Sequence, residues 1–281
     1  MQLCRKDNKL YRNNVLIYTK KTKWIIYYQQ RITEPIDFLR TFAADNKRKR
    51  MEILEAIRER HAVRKYQDRP IEAEKVEQIE QLISECNRES GLHIQLVTNE
   101  PLAFSTGVFK YGQFSGVKNY LVLAGPKKGH DVKEKIGYYG QKVVLMMQTL
   151  GLNTCWVALT FKNIKDAYEL RDDEELKLVV ACGYGETNGV QHPQKKTVQE
   201  LCRDERAQEG QPLPDWFGRG MEAALLAPTA MNQQKFLFTL LDGNKVRAKA
   251  KFDLFGNAAY DLGIVKCNFE LAAGKQHFEW E

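Results

Sequence analysis

Residues 74–101 and 216–244 carry the same elements in the same order and at similar lengths. In the first stretch, Val76, Ile79, Leu82, Ile83 and Cys86 fall at helical spacing over 74–86. Loop 87–91, an alternating strand over 92–98 and the turn Asn99-Glu100-Pro101 follow. In the second, an apolar helix over 216–226 (Met221, Ala224, Leu225) leads to loop 227–235, strand 236–241 and the turn Asp242-Gly243-Asn244. A chain built this way is expected to fold as two related halves. The two loops differ, however. Asn87-Arg88-Glu89-Ser90-Gly91 is short, whereas Ala227-Pro228-Thr229-Ala230-Met231-Asn232-Gln233-Gln234-Lys235-Phe236 places amides and a hydroxyl between two buried elements. Pro228 disfavours helix in the residue before it and so ends the helix. Amides present a donor and an acceptor together and can read the edge of a planar heterocycle; a polar connector would also use these residues.

Charge is distributed unevenly. The net charge of +7 is the sum of +9 over residues 1–50 and −2 over the rest. The body is therefore near neutral, without the basic footprint of a nucleic-acid binder. The extension 1–50 ends in Lys47-Arg48-Lys49-Arg50 and reads as an appendage or as sequence upstream of the true start, with a nucleic-acid or membrane-surface arm as the alternative. Mean hydropathy of −0.50 describes a soluble protein. No apolar run approaches the roughly 20 residues of a membrane span, and no signal peptide is expected. Six cysteines, scattered without a Cys-x-x-Cys or a Cys/His cluster, argue against zinc and disulfides and suit a reducing cytoplasm.

A short helix over 51–59 runs into Arg58-Glu59-Arg60-His61-Ala62-Val63-Arg64-Lys65-Tyr66, where cationic side chains alternate with apolar ones. Arginine forks bind phosphate bidentately, so the cluster suits a phosphomonoester or is a solvated basic face. Segment 104–116, rich in Gly and aromatics, reads as a loop over a pocket or a packed turn. A strand over 120–124, a helix over 131–150 stopped by Gly151, and the small, apolar stretch 151–158 with Trp156 come next. Cys155 reads as a buried structural thiol, with a nucleophile as the alternative, although no base is identifiable near it in sequence. A helix over 163–171, a strand over 176–182, basic His192-Pro193-Gln194-Lys195-Lys196, a polar linker over 204–214, a strand over 245–250 and a helix over 257–273 complete the pattern.

Arg60-His61-Ala62-Val63-Arg64, Gly151 through Val157 and Pro228 through Gln234 together resemble the motifs of the FMN-dependent nitroreductase/flavin reductase family, over about residues 51–281. In ordinary members two subunits build each site. Here the phosphate motif and the amide loop lie far apart in one chain, as in a tandem-duplicated nitroreductase subgroup. The resemblance implies an α+β nitroreductase-like fold, with an antiparallel-rich sheet flanked by helices, arranged as an internal pseudo-dimer. Residues 51–203 would form the first half, 204–214 the linker and 215–281 the second. It implies FMN held by Arg60, His61, Ala62 and Arg64 at the phosphate and ribityl chain, with Lys195 or Lys196 as a further phosphate contact. Backbone at Trp156, Val157 and Ala158 would lie near flavin N5, and Pro228, Thr229, Ala230 and Asn232 against the ring. It further implies hydride transfer from NADH or NADPH to an electron-poor acceptor, with flavin storage or sensing as the alternative, in a monomer acting as a pseudo-dimer; cysteine usage, charge and hydropathy add the expectation of a cytoplasmic protein without nucleic-acid or membrane partners. Three positions depart from the family pattern: Ala62 for Ser, Ala158 for Gly and Lys235 for Pro.

Overall fold

Two packed four-stranded sheets organise the chain, and a pair of central helices joins them. The structure, a computed structural model, describes residues 52–105, 114–207 and 210–281. The expectations for residues 1–50 and for most of segment 104–116 lie outside the described residues. A helix over 52–59, here α1, is followed by α2 (Ala73–Ser90), β1 (His93–Val97), β2 (Asn119–Pro126), α3 (Val132–Thr149), β3 (Asn153–Val157) and β4 (Glu174–Gly183). The second half runs α4 (Val198–Leu201), β5 (Cys202–Asp204), α5 (Asp215–Leu225), β6 (Phe236–Leu241), β7 (Lys245–Ala250), α6 (Ala258–Ala273) and β8 (Glu279–Trp280).

The first sheet has the order β1-β2-β4-β3 and is antiparallel throughout. Its strands are apolar on both faces because both are covered. Ile79, Ile83 and Ile136 from α2 and α3 pack on one face; Val63, Tyr66 and Phe104 pack on the other. The second sheet has the order β5-β6-β7-β8. Its β6–β7 hairpin is antiparallel, while β5 and β8 add as short parallel edges. Aromatic rings fill its core: Phe238 stacks on Phe269 at 4.8 Å, and Trp216 stacks on Phe278 at 5.6 Å.

The order helix–strand–strand–helix–strand thus occurs twice, as α2-β1-β2-α3-β3 and α5-β6-β7-α6-β8. The equivalent helices α3 and α6 cross at two glycines. A Cβ on Gly137 would lie 2.0 Å from the Tyr260 carbonyl oxygen, and one on Gly263 would lie 1.9 Å from that of Glu134. Each glycine faces the carbonyl of the residue one turn before the other glycine. This reciprocity is the signature of an isologous, two-fold interface, here made within one chain. Polar pairs surround the crossing: Gln141 Nε2 donates to Asn268 Oδ1 at 3.0 Å, and Tyr138 Oη donates to Glu270 at 2.6 Å.

Two expectations need correction. The pattern over 163–171 forms only a 3-10 turn, Lys165–Ala167, because Phe161, Ile164 and Tyr168 instead lie against the outer face of the first sheet. Residues 198–204, assigned from sequence to the first half or the linker, form α4 and β5 and belong to the second sheet, since Cys202–Asp204 pairs with Phe238–Leu240.

The crossing makes a signed prediction. Gly263→Ala should destabilise the protein by about 1–3 kcal/mol through overpacking. Gly218→Ala, also within a helix but with nothing within 4 Å of the added carbon, should stabilise it by about 0.5–1 kcal/mol. Urea unfolding of both variants measures the contrast; equal effects would mean that the helix contact is unimportant.

Candidate functional site

The basic cluster starts where α1 ends. The Arg60 amide still donates to the Ala56 carbonyl at 3.0 Å, and the chain then turns extended. Ala62 bridges Thr154 of β3, Lys65 bridges Ser115 and Tyr66 bridges Gly185. Extended backbone puts successive side chains on opposite sides. Val63 and Tyr66 are buried, Arg64 is exposed, and His61 and Ala62 are half-buried. Tyr66 Oη donates to the Val63 carbonyl at 2.7 Å, which holds the turn of the segment.

Arg60 is the unusual member. It is only 7% exposed and makes no ion pair among the described residues. Its Nη1 is buried without a hydrogen-bond partner, as is Thr154 Oγ1 on the adjoining strand. Burial lowers its pKa to about 10, with the neighbouring Cys155 and Tyr66 opposing the shift. The Cys155 thiol is itself pushed up by burial and is packed as an inert core group. A buried guanidinium with an unsatisfied N–H is costly unless an anion meets it. At the far end of β3, Trp156 packs against both cores, its ring filling the space that a side chain at Gly140 would need. Its Nε1 donates to Gln141 Oε1 at 3.4 Å. Val157 is buried, and Ala158 is exposed just beyond the strand.

The amide loop follows α5. Met231, Asn232 and Gln234 all have left-handed backbone, with φ of 53°, 52° and 50°. Such conformations are costly for residues other than glycine and persist where surrounding contacts enforce them. Here they are enforced. Gln234 N donates to Thr229 Oγ1 at 3.1 Å, and the buried Gln234 amide donates to the Leu225 carbonyl at 3.2 Å. The Ala230 N–H is shared by both carboxylate oxygens of Asp261, each at 3.0 Å. Pro228, Thr229, Ala230 and Asn232 are left half-buried, and Met231 is exposed.

Segment 185–197 links the two regions. Near its start, Glu186 N donates to the Lys65 carbonyl at 2.9 Å. Gly189 passes so close to His61 and Ala62 that an added carbon would lie 2.9 Å from His61 Cβ. His61 is held below the usual histidine range by burial, and then by Arg60 and His192. Further along, Asn232 Nδ2 donates to the Pro193 carbonyl at 3.0 Å, Lys195 Nζ to Met231 O at 3.2 Å and Lys196 Nζ to Gln234 O at 2.9 Å. Gln194, Lys195, Lys196, Thr197, Val198 and Leu225 line an open cleft of about 400 Å³. The cationic cluster and the amide loop thus sit at opposite ends of one strap. No direct hydrogen bond joins Arg60–Arg64 to Pro228–Asn232 among the described residues. No group of His, Cys, Asp and Glu among those residues could hold a metal, and no helix among them is long and apolar enough to cross a membrane.

Asp261 and Gln234 belong to this region although sequence reasoning assigned neither of them to the site. Desolvation raises the Asp261 pKa to about 7, against the Ala230 N–H bond and with help from Asp253. A carboxyl whose folded pKa exceeds its unfolded value holds protons more tightly when folded. Its contribution to stability is full at low pH and is lost as the pH rises to about 7. Between about pH 4 and pH 7, wild type should lose about 2–4 kcal/mol relative to Asp261→Asn. Urea unfolding across that range reads the difference, and parallel pH profiles would contradict the burial of this acid.

Known proteins share this frame. The family model described as "Putative TM nitroreductase" matches residues 52–273. A solved structure of a "putative nitroreductase" from Thermotoga maritima is 20% identical, with 81% of this chain and 86% of that one aligned at a TM-score of 0.54. This is a likeness of fold. A "putative nitroreductase in complex with fmn" from Desulfovibrio desulfuricans is 17% identical over 58% of this chain and 98% of its own, at a TM-score of 0.40. An "FMN-dependent Nitroreductase" from Clostridium difficile R20291 is 17% identical over 47% of this chain and 87% of its own, at 0.37. No protein of curated function matches. With the family model spanning the first sheet, three of the four strands of the second and the two helices that cross between them, the chain belongs to the "Putative TM nitroreductase" family.

Proposed function

We propose that this chain is an FMN-dependent oxidoreductase that takes hydride from NADH or NADPH and reduces an electron-poor acceptor such as a nitroaromatic or a quinone. The observation that carries the reading is Arg60, a buried guanidinium whose Nη1 has no partner; the Thr154 hydroxyl, on the strand that Ala62 bridges, is also unpartnered. A phosphomonoester supplies the acceptors that these donors lack. When bound, FMN supplies reversible two-electron chemistry that no side chain has.

The chain's own part is to bind and orient. Arg60, with Arg64 at the exposed side of the same segment, would hold the phosphate, and His61 and Ala62 would border the ribityl chain. Lys195 or Lys196 would add positive charge from the strap. Trp156, Val157 and Ala158 would present backbone beside the reacting edge of the ring, and Pro228, Thr229, Ala230 and Asn232 would hold its other side. Lys196 lies below the usual lysine range through burial first, and then through Lys251 and Lys235. That shift favours a site that gains an anion. Storage or sensing of flavin is the competing reading. It is motivated by Ala62 and Ala158, which replace a hydroxyl and a glycine of the resemblance. Steady-state NAD(P)H oxidation with menadione or a nitrofuran decides between them.

The phosphate assignment separates binding from folding. Removing a buried, unpaired charge tends to stabilise a protein. Arg60→Met should therefore leave the flavin-free protein at least as stable, while FMN affinity falls about ten-fold or more, as expected for a lost charge-assisted hydrogen bond of roughly 1.5–3 kcal/mol. Riboflavin, which lacks the phosphate, should lose much less. Equal loss for both ligands, titrated by fluorescence quenching, would overturn the assignment. We also expect about one flavin per chain, quantified after heat release, with Asn232→Ala weakening the same flavin. A ratio near two would exclude a single competent site.

A further inference from the structure

The loop between β7 and α6, Lys251-Phe252-Asp253-Leu254-Phe255-Gly256, exposes three large apolar side chains. Phe252 is 82% exposed, Leu254 80% and Phe255 74%. Scattered exposed apolar residues are ordinary, but three within four positions form a patch. Their exposure is fixed by the one polar side chain among them. Asp253 turns inward, where Oδ2 accepts the N–H groups of Asn257 at 2.6 Å and Ala258 at 3.3 Å. Its Oδ1 lies 3.6 Å from Lys235 Nζ. This carboxylate satisfies donors at the start of α6. The loop is therefore tied down at its centre, with its apolar side chains turned out.

The surroundings are basic. Lys133 Nζ donates to the Gly256 carbonyl at 3.3 Å. The Lys251 N–H donates to the Lys235 carbonyl at 2.9 Å, and Lys196 feels the charge of both Lys251 and Lys235. Lys195 bonds to the carbonyl of exposed Met231. Against these lysines stand Asp253, which is turned inward, Glu200, whose carboxylate is engaged by Thr197, and Glu175, which is paired with Lys177. Apolar tips bordered by Lys133, Lys235 and Lys251, here the lysine collar, match an interface whose surface is anionic and whose interior is hydrocarbon.

We infer that the Phe252–Phe255 loop docks this protein on anionic lipid bilayers, with Phe252, Leu254 and Phe255 entering the acyl boundary and the lysine collar meeting the headgroups. A second copy of the chain fits less well, because a two-fold contact through this loop would set one lysine collar against another. The collar also lacks the arginine forks that grip individual phosphates. The inference does not need the flavin reading. If both hold, the loop bonded to the amide segment brings that segment to the membrane surface, where apolar acceptors such as quinones partition.

Sedimentation of the full chain with vesicles tests this. Phosphatidylcholine vesicles with about one quarter phosphatidylglycerol are compared with pure phosphatidylcholine, at about 0.1 M and about 1 M salt, where the Debye length falls from about 10 to about 3 Å. The triple variant Phe252→Ser, Leu254→Ser, Phe255→Ser should partition at least about 100-fold less, since each apolar side chain contributes roughly ten-fold or more. Lys133→Gln with Lys251→Gln should lose about five-fold per lysine on anionic vesicles, and nothing on neutral ones. Residues 1–50 are present in every variant, so the difference from wild type isolates the loop. The Phe252→Trp variant should show, relative to wild type, added blue-shifted emission that brominated lipid quenches on anionic vesicles. Equal partition of wild type and triple variant would overturn the inference. So would added emission from Phe252→Trp that brominated lipid leaves unquenched, or a wild-type dimer that the triple variant abolishes without any change in vesicle binding.

Discussion

The crossing of α3 and α6 is the contact on which the rest of the structure depends. Two helices approach so closely only where both lack a side chain. Gly137 and Gly263 supply that absence reciprocally, each against the carbonyl of the other helix. Neither sheet closes its own core without a helix from this pair. α3 covers the first sheet through Ile136, Val143 and Met147, and α6 covers the second through Val265 and Phe269. Gln141 then does for the polar groups what the glycines do for the backbone. Its amide bonds Asn268, Asn268 bonds the Ala223 carbonyl, and Trp156 bonds Gln141. A buried polar chain of this kind fixes one relative placement of the elements, because any shift leaves a member unsatisfied. The end of β3, where the proposed site begins, is thereby tied to the helix pair.

The site itself stores unfavourable features that an apolar core would not retain. Arg60 is a buried cation without a counter-ion among the described residues, and the amide loop holds left-handed residues at Met231, Asn232 and Gln234. Each costs free energy of order a kcal/mol or more. The loop's cost is offset locally by Thr229, Gln234 and Asp261. The cost at Arg60 is not offset within the described residues, and this asymmetry is what the proposed phosphate contact would relieve. A phosphate would satisfy the arginine, so binding and folding would be coupled through this one side chain.

Much of this was legible in the chain. The strand Phe236–Leu241 and the hairpin strand Lys245–Ala250 have the bounds that their pattern and the turn Asp242-Gly243-Asn244 predict, because local turn chemistry sets both ends. Gly151, at φ 76°, stops α3 as expected. Segment 163–171 does not form the expected helix, because Phe161, Ile164 and Tyr168 are held by the sheet beneath them. β5 and β8 escaped notice because two- and three-residue parallel edges are specified by remote partners and not by their own pattern. Asp261 escaped for a similar reason. An acid in an early helical turn reads as a surface residue that favours the helix dipole, and only its contact with Ala230, 31 residues away, reveals its burial.

The two copies of the helix–loop–strand unit explain why one site per chain is the economical reading. In the first copy, the expected loop 87–91 is largely the last turn of α2, which runs to Ser90, and its Asn87 and Ser90 are satisfied locally. Asn87 takes both the N–H and the carbonyl of Ile94, at 2.8 and 2.9 Å. Ser90 donates to the Cys86 carbonyl and accepts from Leu92 N. Gly91 closes the helix with left-handed backbone, its N–H on the Asn87 carbonyl. The buried polar side chains of this turn are thus engaged in ending the helix. In the second copy, the longer loop uses Thr229, Gln234 and Asp261 as internal fasteners. Asn232, only half-buried, is directed onto the strap that leads back to His61. The same local chemistry, applied to loops of different length, gives one closed connector and one presented surface. The same order of elements thus occurs twice, and only the second carries the amide loop to which the proposed function assigns the ring.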